Sequence, residues 1–144
     1  MSTKQVIVVR RDLGMRAGKI GAQSAHASES FITRQIQKQA KVLLERRGPR
    51  DAYLLNGDYE VSVVVSRVEL EWMLDSFAKV VLKVKDLEEL LQIRDCAITA
   101  GLETHLIVDS GRTEFHGEAT PTAVAIGPDY EEKIDPITGH LPLY

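Results

Sequence analysis

The chain alternates short apolar runs with longer stretches whose apolar residues recur at helical spacing. Residues 5–10 carry a continuous Val/Ile run, which predicts a strand buried on both faces. Residues from about 18 to 46 predict one long helix, stopped by the Gly48-Pro49 pair. Residues 48–60 read as a polar loop, and Val61, Val63 and Val65 then alternate as an extended segment would. Ser66 followed by Glu69 is a capping-box pattern and predicts a short helix over 67–77. Residues 79–85 (KVVLKVK) predict a second strand. Asp86 is placed to cap the next helix, which Gly101 ends. Two more strands are predicted at 104–108 and 121–127, and a short acidic helix at 129–138.

Strands that alternate with helices argue for an α/β fold. A helix-linked strand pair is expected to be parallel with a right-handed crossover. The last two strands have no helix between them, which predicts an antiparallel pair and hence a mixed sheet. At 144 residues the size fits a single domain, residues 1–144, and 44% hydrophobic residues can fill a real core.

Composition removes several function classes. One cysteine, Cys96, excludes an internal disulfide framework and a Cys-rich zinc site. No apolar run approaches the roughly 20 residues that span a bilayer. The start, MSTKQ, passes straight into a strand, so no leader and a cytoplasmic location are expected. The net charge of −3 hides an asymmetry. Residues 1–50 hold 11 Lys/Arg against 3 Asp/Glu, and residues 51–144 hold 7 against 18. A basic half points to a polyanion such as RNA, although a solvated basic helix gives the same count. A membrane surface fits less well, because the basic helix lacks a Trp/Leu-rich opposite face.

The candidate chemistry lies where the first strand turns into the long helix. At about 100° per residue, Lys19, Gln23 and His26 fall within an arc of roughly 60°. Ile20, Ser24, Ala27 and Phe31 fall on a neighbouring arc that can pack on the strand. An ammonium, an amide and an imidazole side by side near a helix N-terminus could hold an anion and move a proton. The turn itself, GMRAGK at 14–19, is not a nucleotide-binding P-loop. Three residues separate Gly14 from Gly18 where that motif needs four, and Ile20 replaces its Ser/Thr. Metal catalysis is also disfavoured, since His105, His116 and His140 are scattered and have no Cys partner.

A second candidate, DSGRT at 109–113, follows directly on a strand, where loops line the ligand crevice of α/β sheets. Asp109 could orient His26 or activate water, Arg112 could hold a phosphate, and Thr113 could donate to a carbonyl oxygen. The bland reading is a surface turn. Lys19 and Asp109 can cooperate only if the strands at 5–10 and 104–108 run the same way and share one rim. Trp72 and Phe77 read as core anchors, with base stacking by Trp72 as the alternative.

VVRRDLGMRAGKIGAQSAHAS at 8–28 resembles the signature of the type 2 peptidyl-tRNA hydrolases. GLETHLIVDSGRTEFHGEATPTAVAIGP at 101–128, IDPITGHL at 134–141 and FAKVVLKVKDLEELL at 77–91 are similar to the same family in the same order. Residues 35–65 look unfamiliar and read as a longer linking segment. The resemblance implies a mixed four-stranded sheet flanked by helices on both faces. It implies hydrolysis of the ester joining a peptide to the 3′-terminal ribose of tRNA, with no metal or organic cofactor, and often a homodimer. Residue by residue it implies functional roles for Lys19, Gln23, His26, Asp109, Arg112, Thr113 and Thr120.

Two positions depart from the family pattern. Ala17 stands where a lysine is frequent, with Arg16 beside it, and Ala119 stands where glycine is usual. The rest of the reaction's needs are present. An ester needs a positioned water, a base and oxyanion donors. The acceptor end of a tRNA needs cations, here Arg10, Arg11, Arg16 and Lys19, with Arg34 and Lys38 further along the helix. The rival readings are a non-catalytic RNA-binding or scaffolding protein on the same fold, and an unrelated phosphate-binding enzyme. The first would not need Lys19, His26, Asp109 and Thr113 together, and the second would leave the distal motif unexplained.

Overall fold

A computed structural model describes residues 1–47, 59–112 and 114–144. Its elements, in chain order, are β1 (Thr3–Arg10), α1 (Ala17–Arg47), α2 (Arg67–Leu74), β2 (Lys79–Val84), α3 (Leu87–Thr99), β3 (Thr104–Asp109), β4 (Thr120–Tyr130) and α4 (Glu131–Thr138), with one 3-10 turn at Phe115–Gly117. The four strands form one sheet in the order β2-β1-β4-β3. β1 pairs parallel with β2, and β4 pairs antiparallel with both β1 and β3. The sheet is therefore mixed, as the element pattern predicted. Because β4 opposes both of its neighbours, β1 and β3 point the same way with β4 between them. Their C-terminal ends share one rim.

The unbroken Val6–Val9 run makes β1 a central strand with both faces covered. Val6 and Val8 join Val124 and Ile126 against α3 and α4, through Leu90, Ile93 and Ile134. Ile7 and Val9 join Ala123 and Ala125 on the opposite face, against Ala27 of α1. The side-chain period of two sends alternate residues to opposite faces. Beneath α1 the β4 positions on this face, Ala123 and Ala125, are small, and the helix meets the sheet through Ala27. Polar side chains on the first turns of α1 then reach the end of β3.

Local signals fixed the remaining elements. Ser66 and Glu69 cap α2 reciprocally, each side chain accepting from the other's backbone N–H. Asp86 caps α3 by accepting from the Glu89 N–H at 2.9 Å. Gly101, at φ +75°, ends the turn after α3. The predicted stop at Gly48-Pro49 and most of the predicted 48–60 loop lie outside the described residues.

Two expectations change. Residues 61–65, whose apolar positions alternate, belong to no strand. Their partners are glutamine side chains of α1: Gln35 exchanges two hydrogen bonds with the Val64 backbone and Gln39 does the same with Ser62. Glutamines four apart on one helix face thus replace a neighbouring strand. Phe77 is not a core anchor. Trp72 is buried, donates to the Ala78 carbonyl at 2.8 Å and meets Phe31 edge-on. Phe77 is 52% exposed and sits at φ +50° in the tight turn between α2 and β2, which lays its ring over Trp72 from outside.

The close seat of α1 yields a stability prediction. Ala27 is fully buried against the sheet. Ala27→Leu should overpack that contact and lower unfolding stability by about 1–3 kcal/mol, read as a lower urea midpoint at unchanged slope. An unchanged midpoint would mean that α1 does not need small residues beneath it.

Candidate functional site

Helix α1 and the end of β3 meet at Asp109. Lys19, in the first turn of α1, places its Nζ 2.6 Å from Asp109 Oδ2. One turn later, Gln23 donates to the same oxygen at 3.2 Å. The other carboxylate oxygen, Oδ1, accepts from the Gly111 N–H at 2.8 Å. These donors, the Lys19 ammonium foremost, hold the Asp109 carboxyl below its usual pKa against the opposing effect of burial. Asp109 is thus an ionised anchor and a weak base.

Gly111 has a steric reason to be glycine. It sits at φ +79°, and a Cβ there would stand 2.2 Å from the Glu118 carbonyl oxygen. The turn it makes is what aims its N–H back at Asp109. Arg10 has a similar positioning role. Its guanidinium grips Asp12 through two hydrogen bonds and donates to the Pro121 carbonyl at 3.0 Å, tying the turn after β1 to the start of β4.

Gln23 is almost fully buried, and its own orientation is fixed by Thr122, whose hydroxyl donates to Gln23 Oε1 at 2.5 Å. Simple alternation along β4 would turn Thr122 to the α3 face, away from Ala123. The pairing explains the exception: between Ile107/Ala123 and Val108/Pro121 the register advances two residues on β4 for one on β3. Thr122 is the extra residue of that bulge and is re-aimed toward α1. A hydroxyl beside the apolar run Ala123–Ile126 was its one signal in the sequence, and it does not give the direction.

His26, one turn beyond Gln23, is exposed at the mouth of a groove of about 410 Å³ between α1 and the β3 edge. Gln23, Asp109 and Ser110 line the same groove. Lys19 is not among its walls but reaches Asp109 from the end nearest the turn. Lys19 and Gln23 therefore meet at Asp109, and His26 shares the groove with Gln23 and Asp109.

Other expected residues lie around this centre. Arg11 and Arg16 are exposed in the turn before α1. Arg112 is exposed and borders a neighbouring hollow with Glu114 and His116. Thr120 is half-buried and donates to the Glu118 carbonyl at 2.9 Å. Arg34 reaches across the groove to the Leu106 carbonyl, and Lys38 is exposed one turn beyond. Thr113 lies outside the described residues. Among the described residues, no three His, Cys, Asp or Glu side chains gather as a metal-ligand set, and no helix is long and apolar enough to cross a membrane.

Comparison with known proteins agrees over nearly the whole chain. A family model described as peptidyl-tRNA hydrolase PTH2 matches residues 3–144. A protein named peptidyl-tRNA hydrolase from Methanopyrus kandleri is 39% identical over 140 residues, which is 97% of each chain. Another of that name, from Methanocaldococcus jannaschii, is 38% identical over 141 residues, 97% of this chain and 98% of that one. A probable peptidyl-tRNA hydrolase 2 from Dictyostelium discoideum is 33% identical over 141 residues, 98% of this chain and 54% of its own length.

The charge pairing at the site makes a titration prediction. The Asp109 carboxyl, followed by carbon NMR, should titrate below its ordinary value, and Lys19→Met should move it upward. Because the folded-state pKa is depressed, the ionised carboxylate stabilises the fold above the unfolded-state value, and that contribution is lost as pH falls through the folded value. An Asp109 that titrates like a free aspartate in both proteins would contradict the ion pair.

Proposed function

The chain belongs to the peptidyl-tRNA hydrolase PTH2 family, and on that premise we infer that it hydrolyses the ester between a peptide and the 3′-terminal ribose of tRNA. The observation that carries this reading is the convergence of Lys19, Gln23, His26 and Asp109 beside one open groove. We assign residues 1–144 to one hydrolase domain acting in the cytoplasm on peptidyl-tRNA, as a homodimer and without a metal or organic cofactor.

In this mechanism a water attacks the ester carbonyl from the groove. Asp109, already receiving three donors, fixes Lys19 and Gln23 rather than removing a proton itself. The exposed imidazole of His26 accepts the water's proton and returns it to the ribose oxygen. Lys19 supplies positive charge next to the carbonyl as negative charge develops there, with Thr113 as the second donor. Gln23, locked by Thr122, keeps the carboxylate from turning. Arg11, Arg16 and Arg112 meet the acceptor-end phosphates, with Thr120 nearby. Arg10 serves them by holding the turn.

Purified protein should release peptide from N-blocked aminoacyl-tRNA in the presence of chelator. His26→Ala and Asp109→Asn should each lower turnover by about 10²–10⁴-fold while the fold is kept. Inactivity of the wild-type protein on several tRNAs would overturn the assignment. Near-full turnover in His26→Ala would make that histidine structural.

Binding should depend on the basic turn. Arg16→Ala should weaken tRNA affinity and reduce the slope of log affinity against log salt by about 1, the signature of one lost phosphate contact. An unchanged slope would remove Arg16 from the RNA footprint.

A further inference from the structure

The groove extends well past the reacting centre, and the chemistry of its walls changes along the way. Lys19 and Gln23 meet Asp109 at one end, while Arg34 meets Leu106 at the other, so α1 runs opposite to β3 along the groove. From His26 to Gln37 is eleven residues of helix, about 16 Å at about 1.5 Å per residue. An extended peptide covers that length in about five residues.

Among the described residues, one wall of the groove is a strand edge with no further strand beside it. β3 is the last strand of the sheet and pairs on one side with β4. The Glu103 carbonyl accepts from Gly127 on the β4 side, so alternation turns Thr104, Leu106 and Val108 outward. Arg34 takes the outward carbonyl of Leu106. Among the described residues that leaves the Leu106 N–H and the Val108 N–H and C=O on the outer edge, where Val108 is 52% exposed. A row of outward backbone groups is a template for an added strand.

We propose that this edge is the subsite for the peptide portion of the substrate, which adds to β3 as a short parallel strand. The proposal rests on the hydrolase reading, since it takes the ester to lie at Asp109 and His26. The peptide's C-terminal, ester-bearing end then sits at the C-terminal end of β3, and its N-terminus runs back toward Thr33 and Gln37. Its chain direction is that of β3. Recognition through backbone groups accepts any peptide sequence, which suits an enzyme whose substrates differ in their peptide. The alternative occupant, RNA, fits poorly here. Glu29 presents a carboxylate to the groove, the Arg34 guanidinium in its wall is given to the Leu106 carbonyl, and the exposed arginines of the turn lie beyond the other end of the site.

The test compares one tRNA carrying either an N-acetyl amino acid or an N-acetyl tetrapeptide with the same C-terminal residue. In the wild-type protein kcat/KM should be about tenfold or more higher for the tetrapeptide, the effect of two or three added backbone hydrogen bonds. Thr33→Trp, which narrows the groove midway, should remove most of that preference. A measurement that needs no variant supports it: an N-acetyl tetrapeptide amide should slow hydrogen exchange at the Leu106 and Val108 amides. Equal kcat/KM for both substrates would overturn the proposal, as would Thr33→Trp slowing both alike with a flatter salt dependence, which would assign the groove to RNA. Exchange unchanged by saturating peptide would also overturn it. Failure to hydrolyse either substrate would instead overturn the hydrolase reading beneath it.

Discussion

The ion pair between Lys19 and Asp109 is the contact on which the site depends. It joins the first turn of α1 to the last residue of β3, ninety positions apart in sequence. Both side chains are largely shielded from solvent, so neither charge is well hydrated without the other. The pair also orders its surroundings. With Oδ2 given to Lys19 and Gln23 and Oδ1 to Gly111, the carboxylate has one orientation, and His26 is left facing the groove.

Backbone features make that pair possible. The sheet order puts the ends of β1 and β3 on one rim although the strands are not neighbours. Alanines 27, 123 and 125 let α1 sit low on the sheet. The β4 bulge turns Thr122 into the space beneath Gln23, and Gly111 bends the chain where a Cβ would strike Glu118. Each acts by fixing where a polar atom of the site points.

Much of this architecture was legible in the residue pattern. The Val6–Val9 run announced a strand covered on both faces, Ser66 and Asp86 announced helix starts, and the 3.6-residue period aligned Lys19, Gln23 and His26. The alternation of strands and helices gave the parallel and antiparallel pairs. What escaped depends on pairing between distant segments. A bulge is a mismatch of two strands, so nothing local to β4 marks Thr122 as facing α1. Gln35 and Gln39 read as ordinary surface residues until the 61–65 backbone lies against them. Phe77 counts as apolar in any pattern, but its positive φ puts it on the surface. Arg10 counts as a cation, yet Asp12 and Pro121 occupy its guanidinium.

The central claim is that Lys19 and Asp109 work as one unit. A double-mutant cycle on single-turnover peptide release, with Lys19→Met, Asp109→Asn and the double variant, tests it most directly. If the two residues act through each other, the double variant is no slower than the slower single variant. If their losses multiply, each acts independently and the ion pair is not what organises the site.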